Sequence, residues 1–446
     1  MSSLLCLGRH TVTGLLTTVG QEFVDWSAAY KLFACDRMPI EGIFSVIRAA
    51  VVAELPPQAP LCVAIDDSLL RKTGIRIPGV AWRRDPLGPH FQTNFVLGQR
   101  FFQMSASVPL DNGGHRMVPI CFSHAPTPVK PSPKAEEDTW KQYRKDAKNA
   151  RLPVVASQHL ISLRQQLDAD GVQRQLVVLG DGGYTNETVL KKLPPCTTFI
   201  GRIRKDAALN LLPHAPDAQP HRGRPRRYGA AAPTPEQLRT DDSVPWTSVD
   251  ISLNGIPYSL RTKCLKQLLW RKAGLQHTLQ LIVIAPLGYR LRNGSKLLYR
   301  KPVYVICTDP KMDVTTVLRH YLQRWDIEVN FREEKTLLGV SQAQVRNPNS
   351  AQNLPAFQVA AYAMLLLASL KAAQGPIKQD LLPRPKWQQT SPRFSTARAI
   401  SQLRAEVWQE ALHLSNFSDF ATHTPAHTKS KQFIPALHSA VLYACN

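Results

Sequence analysis

Two short apolar runs, each stopping on aspartate, constrain this 446-residue chain more than any other feature in it. LCVAIDDS, residues 61–68, stops on Asp66 and Asp67, and QLVVLGDGGY, residues 175–184, stops on Asp181. Runs of this length and composition read as buried strands, so the acids are expected at strand ends. Plain turn chemistry is the competing reading, since Asp commonly caps turns and Gly182 and Gly183 could serve backbone geometry alone.

Between the two runs, TNFVLGQRFFQMSASVP and HRMVPICFS are strand-like and joined through DNGG, which makes an antiparallel meander with the first run. KAEEDTWKQYRKDAKNA and a segment near Ser157 to Leu167 are helical, and TTFIGRIR is a fifth strand. Strand, strand, strand, helix, strand, helix, strand is the order of a ribonuclease-H-like α/β fold, a mixed sheet with helices on its faces. From about 206 to 300 a Pro- and Arg-rich tract gives way to SVDISLNG, YSLRTKCL, LQLIVIAP and LLYR, a β-rich insertion without helices. PVYVICTD then feeds one long helix, Val314 to about Leu338, with Asp313 offering its N-cap. The expected organisation is a helical unit at 1–55, a ribonuclease-H-like domain at 56–345 carrying the insertion, and a helical C-terminal region at 346–446.

Lys and Arg outnumber Asp and Glu by 55 to 33, a formal charge of +22 that points to a polyanionic partner, nucleic acid rather than membrane. The longest apolar run, Phe357 to Leu370, suits a buried helix rather than a bilayer span, and the start MSSLLCLGRH carries no secretion signal. Eight scattered cysteines without a CxxC pair fit reduced thiols in a cytosol. The expected location is therefore cytoplasmic.

The long helix contributes the third acid. Tyr321, Arg324, Glu328 and Lys335 fall at offsets that, at about 100° per residue, keep them within roughly a 60° sector. Leu318, Leu322, Trp325 and Val329 form a neighbouring stripe that can bury against the sheet, while Asp326, Glu333 and Glu334 point away from the sector. Asp66, Asp181 and Glu328 together supply the oxygen ligands that a hard divalent cation needs, Mg²⁺ with Mn²⁺ substituting. Two such ions about 4 Å apart can promote in-line attack on a phosphodiester. Arg324 and Lys335 would hold DNA phosphates, and Tyr321 could hydrogen-bond to one. Taken alone, such a helix face is more often a solvated surface.

YLQRWDIEVNFREEK carries the spacing Tyr, two residues, Arg, three residues, Glu, six residues, Lys, and resembles the signature of one branch of the bacterial insertion-sequence transposases. IDDSLLRKTG and GDGGYTNE are similar to the first and second acidic motifs of that DDE superfamily. The resemblance covers roughly residues 60 to 345 and implies DNA transposition and recombination: cleavage at element ends in double-stranded DNA, joining to a target, and a dimer in the DNA complex. The first motif has adjacent acids, so Asp66 and Asp67 remain alternatives for one ligand position. A ribonuclease-H-like nuclease that cuts without joining, and a catalytically inactive DNA-binding regulator, are the competing functions.

Other features are less specific. HRGRPRR, with Arg222, Arg224, Arg226 and Arg227, resembles the core of an AT-hook that enters a narrow minor groove, and reads equally as a basic linker. RHTVTGLLTTVG could open a helix-turn-helix or simply pack. Trp246, Trp270 and Trp325 are expected in the core, base stacking being the alternative.

Overall fold

The computed structural model describes residues 1–374 except 20, 22, 24, 36, 86, 87, 90, 111–113, 214–225 and 254, together with 386–387 and 395–411. Four helices come first: α1 (Ser2–Leu5), α2 (Val12–Thr18), α3 (Ser27–Ala34) and α4 (Ile40–Ala53). β1 (Leu61–Arg71), β2 (Val80–Arg84), β3 (Phe95–Pro109) and β4 (His115–His124) follow, then α5 (Glu137–Asn149), α6 (Leu152–Ala169), β5 (Leu176–Gly180), α7 (Glu187–Leu190) and β6 (Thr197–Arg202). The next stretch holds β7 (Asn210–Leu211), α8 (Pro235–Thr240), β8 (Thr247–Leu253), β9 (Ile256–Trp270), β10 (Gly274–Ile284), β11 (Gly288–Tyr289) and β12 (Leu298–Tyr299). β13 (Val303–Cys307), α9 (Val314–Gln323), α10 (Asp326–Thr336), α11 (Pro348–Gln374) and α12 (Thr396–Ala411) complete the described elements.

β1 is apolar at five successive positions, Leu61 to Ile65, all nearly inaccessible, because both of its faces are covered. Leu61, Val63 and Ile65 join a core with Phe44 and Ile47 of α4 and Leu160 and Leu163 of α6. Cys62 and Ala64 join a second core with Val317 and Leu318 of α9 and Ile327 and Phe331 of α10. β1 runs antiparallel to β3 on one side and parallel to β5 on the other, and β5 is parallel to β6. β4 and β2 pair with the outer edge of β3, so β4-β3-β1-β5-β6 is the ribonuclease-H-like mixed sheet expected. The DNGG turn between β3 and β4 falls largely on 111–113, outside the described residues. β2, exposed or half-buried along its whole length, carries no apolar run that would mark it as a strand.

The insertion differs from a separate β unit. β13 pairs antiparallel with β6, β10 with β13 and β9 with β10, so the insertion extends the same sheet to eleven strands among the described residues. Among the described strands only β11 and β12 stand outside it, as a two-stranded hairpin, and the insertion is not the helix-free segment expected, because a capping box between Thr234 and Gln237 starts α8.

The two ends of the described chain share a core. Cys6, Val12, Leu15 and Phe33 pack with Ala343 and Leu354, and Arg404 of α12 donates to the carbonyls of Leu4 and Cys6 at 3.3 and 2.8 Å. α2 and α3 therefore sit within a packed assembly. α11 is long and apolar enough to cross a membrane, but 78% of its apolar window is buried inside the fold, the condition of a core helix. The sequence region beyond residue 411 lies outside the described residues.

A buried polar cluster joins α10, β4 and the last helices. Arg116 of β4, 1% exposed, pairs with Glu333 of α10, and its Nη2 lies 2.7 Å from the Tyr362 hydroxyl and 3.1 Å from Thr396 Oγ1. Tyr362 and Thr396 also donate to Glu333 Oε2 at 2.7 and 2.6 Å. Asn330 Nδ2 donates to Ser105 Oγ and the Met117 carbonyl at 3.2 and 3.1 Å. Removing one partner from a buried pair strands the other charge, so Glu333→Ala is expected to cost about 3–5 kcal/mol. Urea denaturation checks it, and the double variant Glu333→Leu with Arg116→Met should recover most of the loss.

Candidate active site

Strand parity separates the two adjacent acids of β1. Asp66 follows Cys62 and Ala64 on the face covered by α9 and α10; Asp67 follows Ile65 on the opposite face. Asp67 Oδ1 accepts from the buried Tyr184 hydroxyl at 3.2 Å, and Arg100 and Arg83 offset the burial that raises its pKa. Asp66 Oδ1 accepts from the Asp67 amide at 2.8 Å, while Oδ2 lies 3.7 Å from Arg324 Nη1. Burial first, and the charge of Asp181 second, push Asp66 up to about 7.

Asp181 stands just past the end of β5, the parallel neighbour of β1. Its Oδ1 accepts from the amides of Gly183 and Tyr184 at 2.7 and 3.2 Å, and its carbonyl accepts from Thr185 Oγ1 at 2.8 Å. The turn role weighed from the sequence is thus present, and it uses Oδ1. This turn lies hard against the sheet: a Cβ on Gly201 of β6 would stand 2.3 Å from Thr185 Oγ1 and 2.5 Å from the Phe199 ring, so only glycine fits there.

The single helix expected over 314–338 is two helices joined by a tightened stretch. Asp313 caps α9 as anticipated, accepting from Thr316 N at 2.9 Å. Arg324, Trp325, Ile327 and Glu328 bond to the carbonyl three residues back, at 3.1–3.3 Å, which is 3₁₀ winding. No Gly or Pro marks this change, so the 3.6-residue period carried no sign of it. Arg324 is left reaching two acids at once, Asp66 and, through Nη2, Glu328 Oε1 at 3.3 Å. Trp325 is not in the core: it is 60% exposed, whereas Leu318 and Val329 of the same expected stripe are buried. Trp270 is buried and Trp246 half-buried beneath the cations of Lys263 and Arg261.

Tyr321 feels the charges of Arg324, Arg202 and Asp181, and burial raises its pKa. Arg202, at the end of β6, went unnoticed in the sequence because nothing there distinguishes it from other exposed arginines. Lys335 lies farther along α10, about 10 Å of helix beyond Glu328, where Glu334, Arg71 and Asp67 are the charges that act on it and burial lowers its pKa. Asp326 turns inward to within 3.1 Å of His115, and Glu333 and Glu334 are buried.

Thus Asp66, Asp181, Tyr321, Arg324 and Glu328 come together where β5 ends beside the middle of β1, which continues to Arg71 instead of stopping at its acids as expected, with Lys335 along the same helix and Asp67 on the other face. Arg222 and Arg224 lie outside the described residues. Arg226 and Arg227 are exposed beside the segment that pairs with β7, six strand positions from β1, about 29 Å at the usual spacing. Among the described residues no three His, Cys, Asp or Glu side chains already form a metal-holding cluster. The donor set still suits a hard cation: oxygen ligands only, and a buried carboxylate raised by its acidic neighbour, a condition that positive charge relieves.

The chain matches the sequence profile of the DDE superfamily endonucleases over residues 2–276 and belongs to that family. It is thus of nuclease or transposase type; DNA is the substrate class, and divalent metals are general to the family. The match takes in Asp66 and Asp181 and ends before the Tyr321–Lys335 helices. No curated protein matches the chain.

Burial holds Glu334 up to about 8, partly opposed by its hydrogen bond to Gln103. An unfolded glutamate titrates near ~4.3, so the raised carboxyl costs the fold increasingly as pH climbs from there to its folded value. Glu334→Gln should therefore gain on the wild type by up to roughly 1.4 kcal/mol per pH unit across that window and no further above it. Denaturation midpoints measured at a series of pH values check both the direction and the plateau.

Proposed function

We propose that this protein is a DNA transposase that cuts element ends and joins them to target DNA, with Asp66, Asp181 and Glu328 as its metal-holding carboxylates. The observation that carries this reading is the bridging of Asp66 and Glu328, from the middle of a strand and from a helix 262 residues later, by the guanidinium of Arg324, with the charge of Asp181 acting on Asp66. Parity favours Asp66 over Asp67, since only the former shares a face with Glu328. Bound divalent cations, Mg²⁺ or Mn²⁺, supply activation of the attacking oxygen and charge stabilisation at the leaving one.

The chain's own groups do the rest. Arg324 lies between the two carboxylates and is placed to bind phosphate, and Tyr321 stands one turn before it on the same helix face. Lys335, along the same helix, is a second phosphate contact. Water as nucleophile gives the cut and a 3′ hydroxyl gives the joining step, with the strand held between them. The Tyr-Arg-Glu-Lys spacing supports the insertion-sequence branch of the family. On this reading the protein acts in the bacterial cytosol on nucleoid DNA, as a dimer that brings two ends together.

With Mg²⁺ and DNA carrying the element's ends, the wild type is expected to cleave at those ends and transfer them into a plasmid. Glu328→Gln, which keeps shape and removes charge, should bind comparably and lose at least about 10²-fold in cleavage rate, on the order of a lost charge-stabilising group. Equal cleavage by both proteins removes Glu328 from the ligand set; cleavage without transfer makes the protein a nuclease; binding without cleavage makes it a regulator.

A further inference from the structure

The segment between Pro286 and Pro302, LGYRLRNGSKLLYRK, carries five cations and no acid. It folds as the β11–β12 hairpin, with Gly288 opposite Tyr299 and Tyr289 opposite Leu298, outside the main sheet. Its tip is a turn closed by Ser295 N to the Arg292 carbonyl at 3.0 Å, and Gly294 at φ +79° is what lets the chain reverse there. Arg300 lies 5.4 Å from the centre of the Tyr289 ring. Leu291 is 75% and Tyr299 66% exposed, and apart from Ser295 and Leu298 every residue from 287 to 301 faces solvent. A two-stranded ribbon with so little packing is marginal by itself, and exposed apolar groups among uniform positive charge call for a partner.

Topology sets where the hairpin stands. β5 and β6 run parallel to β1 toward the edge that bears Asp66 and Asp181. β13 runs against β6, with Val305 opposite Arg202, and β10 runs against β13, with Ile284 opposite Val303. The hairpin therefore leaves β10 and returns to β13 at the carboxylate edge, two to three strands from β5, roughly 10–14 Å.

We propose that this hairpin is a DNA-binding arm that seats its ribbon in the major groove of the duplex beside the cleaved phosphate, its cations on the backbone. The proposal rests on the reading of the carboxylate edge as the cutting site. A major groove about 12 Å wide admits a two-stranded ribbon, and the duplex supplies the negative charge that five cations need. Pairing with the same hairpin of a second copy would instead oppose five positive charges to five.

The test is the salt dependence of binding to a short duplex of arbitrary sequence, using the full chain. Arg290→Gln, Arg292→Gln and Lys296→Gln combined should weaken binding ~10-fold or more and flatten the log–log salt slope by about 2 to 3. Arg290→Lys with Arg292→Lys should keep the slope, and the melting temperature should stay put in both variants because these side chains are exposed. An unchanged slope in the Gln variant overturns the arm, as does equal loss in the Lys variant. A dimer lost from the Gln variant with the slope unchanged would assign the hairpin to self-association and overturn it too. Plasmid nicking, with Glu328→Gln as control, separates the two readings. If nicking persists while the slope ignores the three cations, the arm falls and the nuclease reading stands. If the wild type never nicks yet its slope depends on them, the arm stands and the nuclease reading falls.

Discussion

The geometry of the carboxylate edge depends on a buried guanidinium some distance from it. Arg116 cannot be left unpaired in the interior, and its partners, Glu333, Tyr362 and Thr396, come from three helices 217, 246 and 280 residues later in the chain. Meeting that single charge draws α10, α11 and α12 onto β4. Asn330, bonded to β3 and β4 one turn from Glu333, prevents α10 from sliding or rotating about that anchor. A fixed α10 fixes Glu328 and, through the tightened stretch before it, Arg324.

At the edge itself, charge rather than packing governs. Asp66 sits in the middle of β1, which runs on to Arg71 rather than stopping at the acids, and Asp181 follows the end of its parallel neighbour β5, so their like charges are held close by the sheet, and burial removes much of the water that would screen them. Arg324 is the available compensation, shared between Asp66 and Glu328. Asp67, one residue away, lives in a different environment, tied to Tyr184 and facing Arg100 and Arg83. A period of two residues separates these roles as sharply as distance could.

The insertion contributes by continuity. Because β13 lies between β6 and β10, the strands from Asn210 to Ile284 lengthen the sheet that already carries the acids. A detached β unit would leave the basic hairpin free to point anywhere; rooted in β10 and β13, it emerges at the same edge as Asp66 and Asp181.

Much of this was legible in the sequence. Unbroken apolar runs identify β1 and β5 as interior strands, their ends locate Asp66, Asp67 and Asp181, and the element order gives the ribonuclease-H-like sheet, because burial and strand period are local properties. The i, i+3, i+7 spacing likewise groups Tyr321, Arg324 and Glu328. Tertiary structure decided the remainder. The 3₁₀ stretch at 324–328 has no Gly or Pro to announce it, and it leaves Trp325 in solvent although the period assigns it to the core. Strand β2, the Arg116 cluster, the position of Arg202 beside Tyr321 and the fusion of the insertion with the sheet rest on pairings across tens to hundreds of residues. Local patterns determine which side chains can be buried or exposed; which of them meet is set by long-range register and by the demand that each buried charge find a partner.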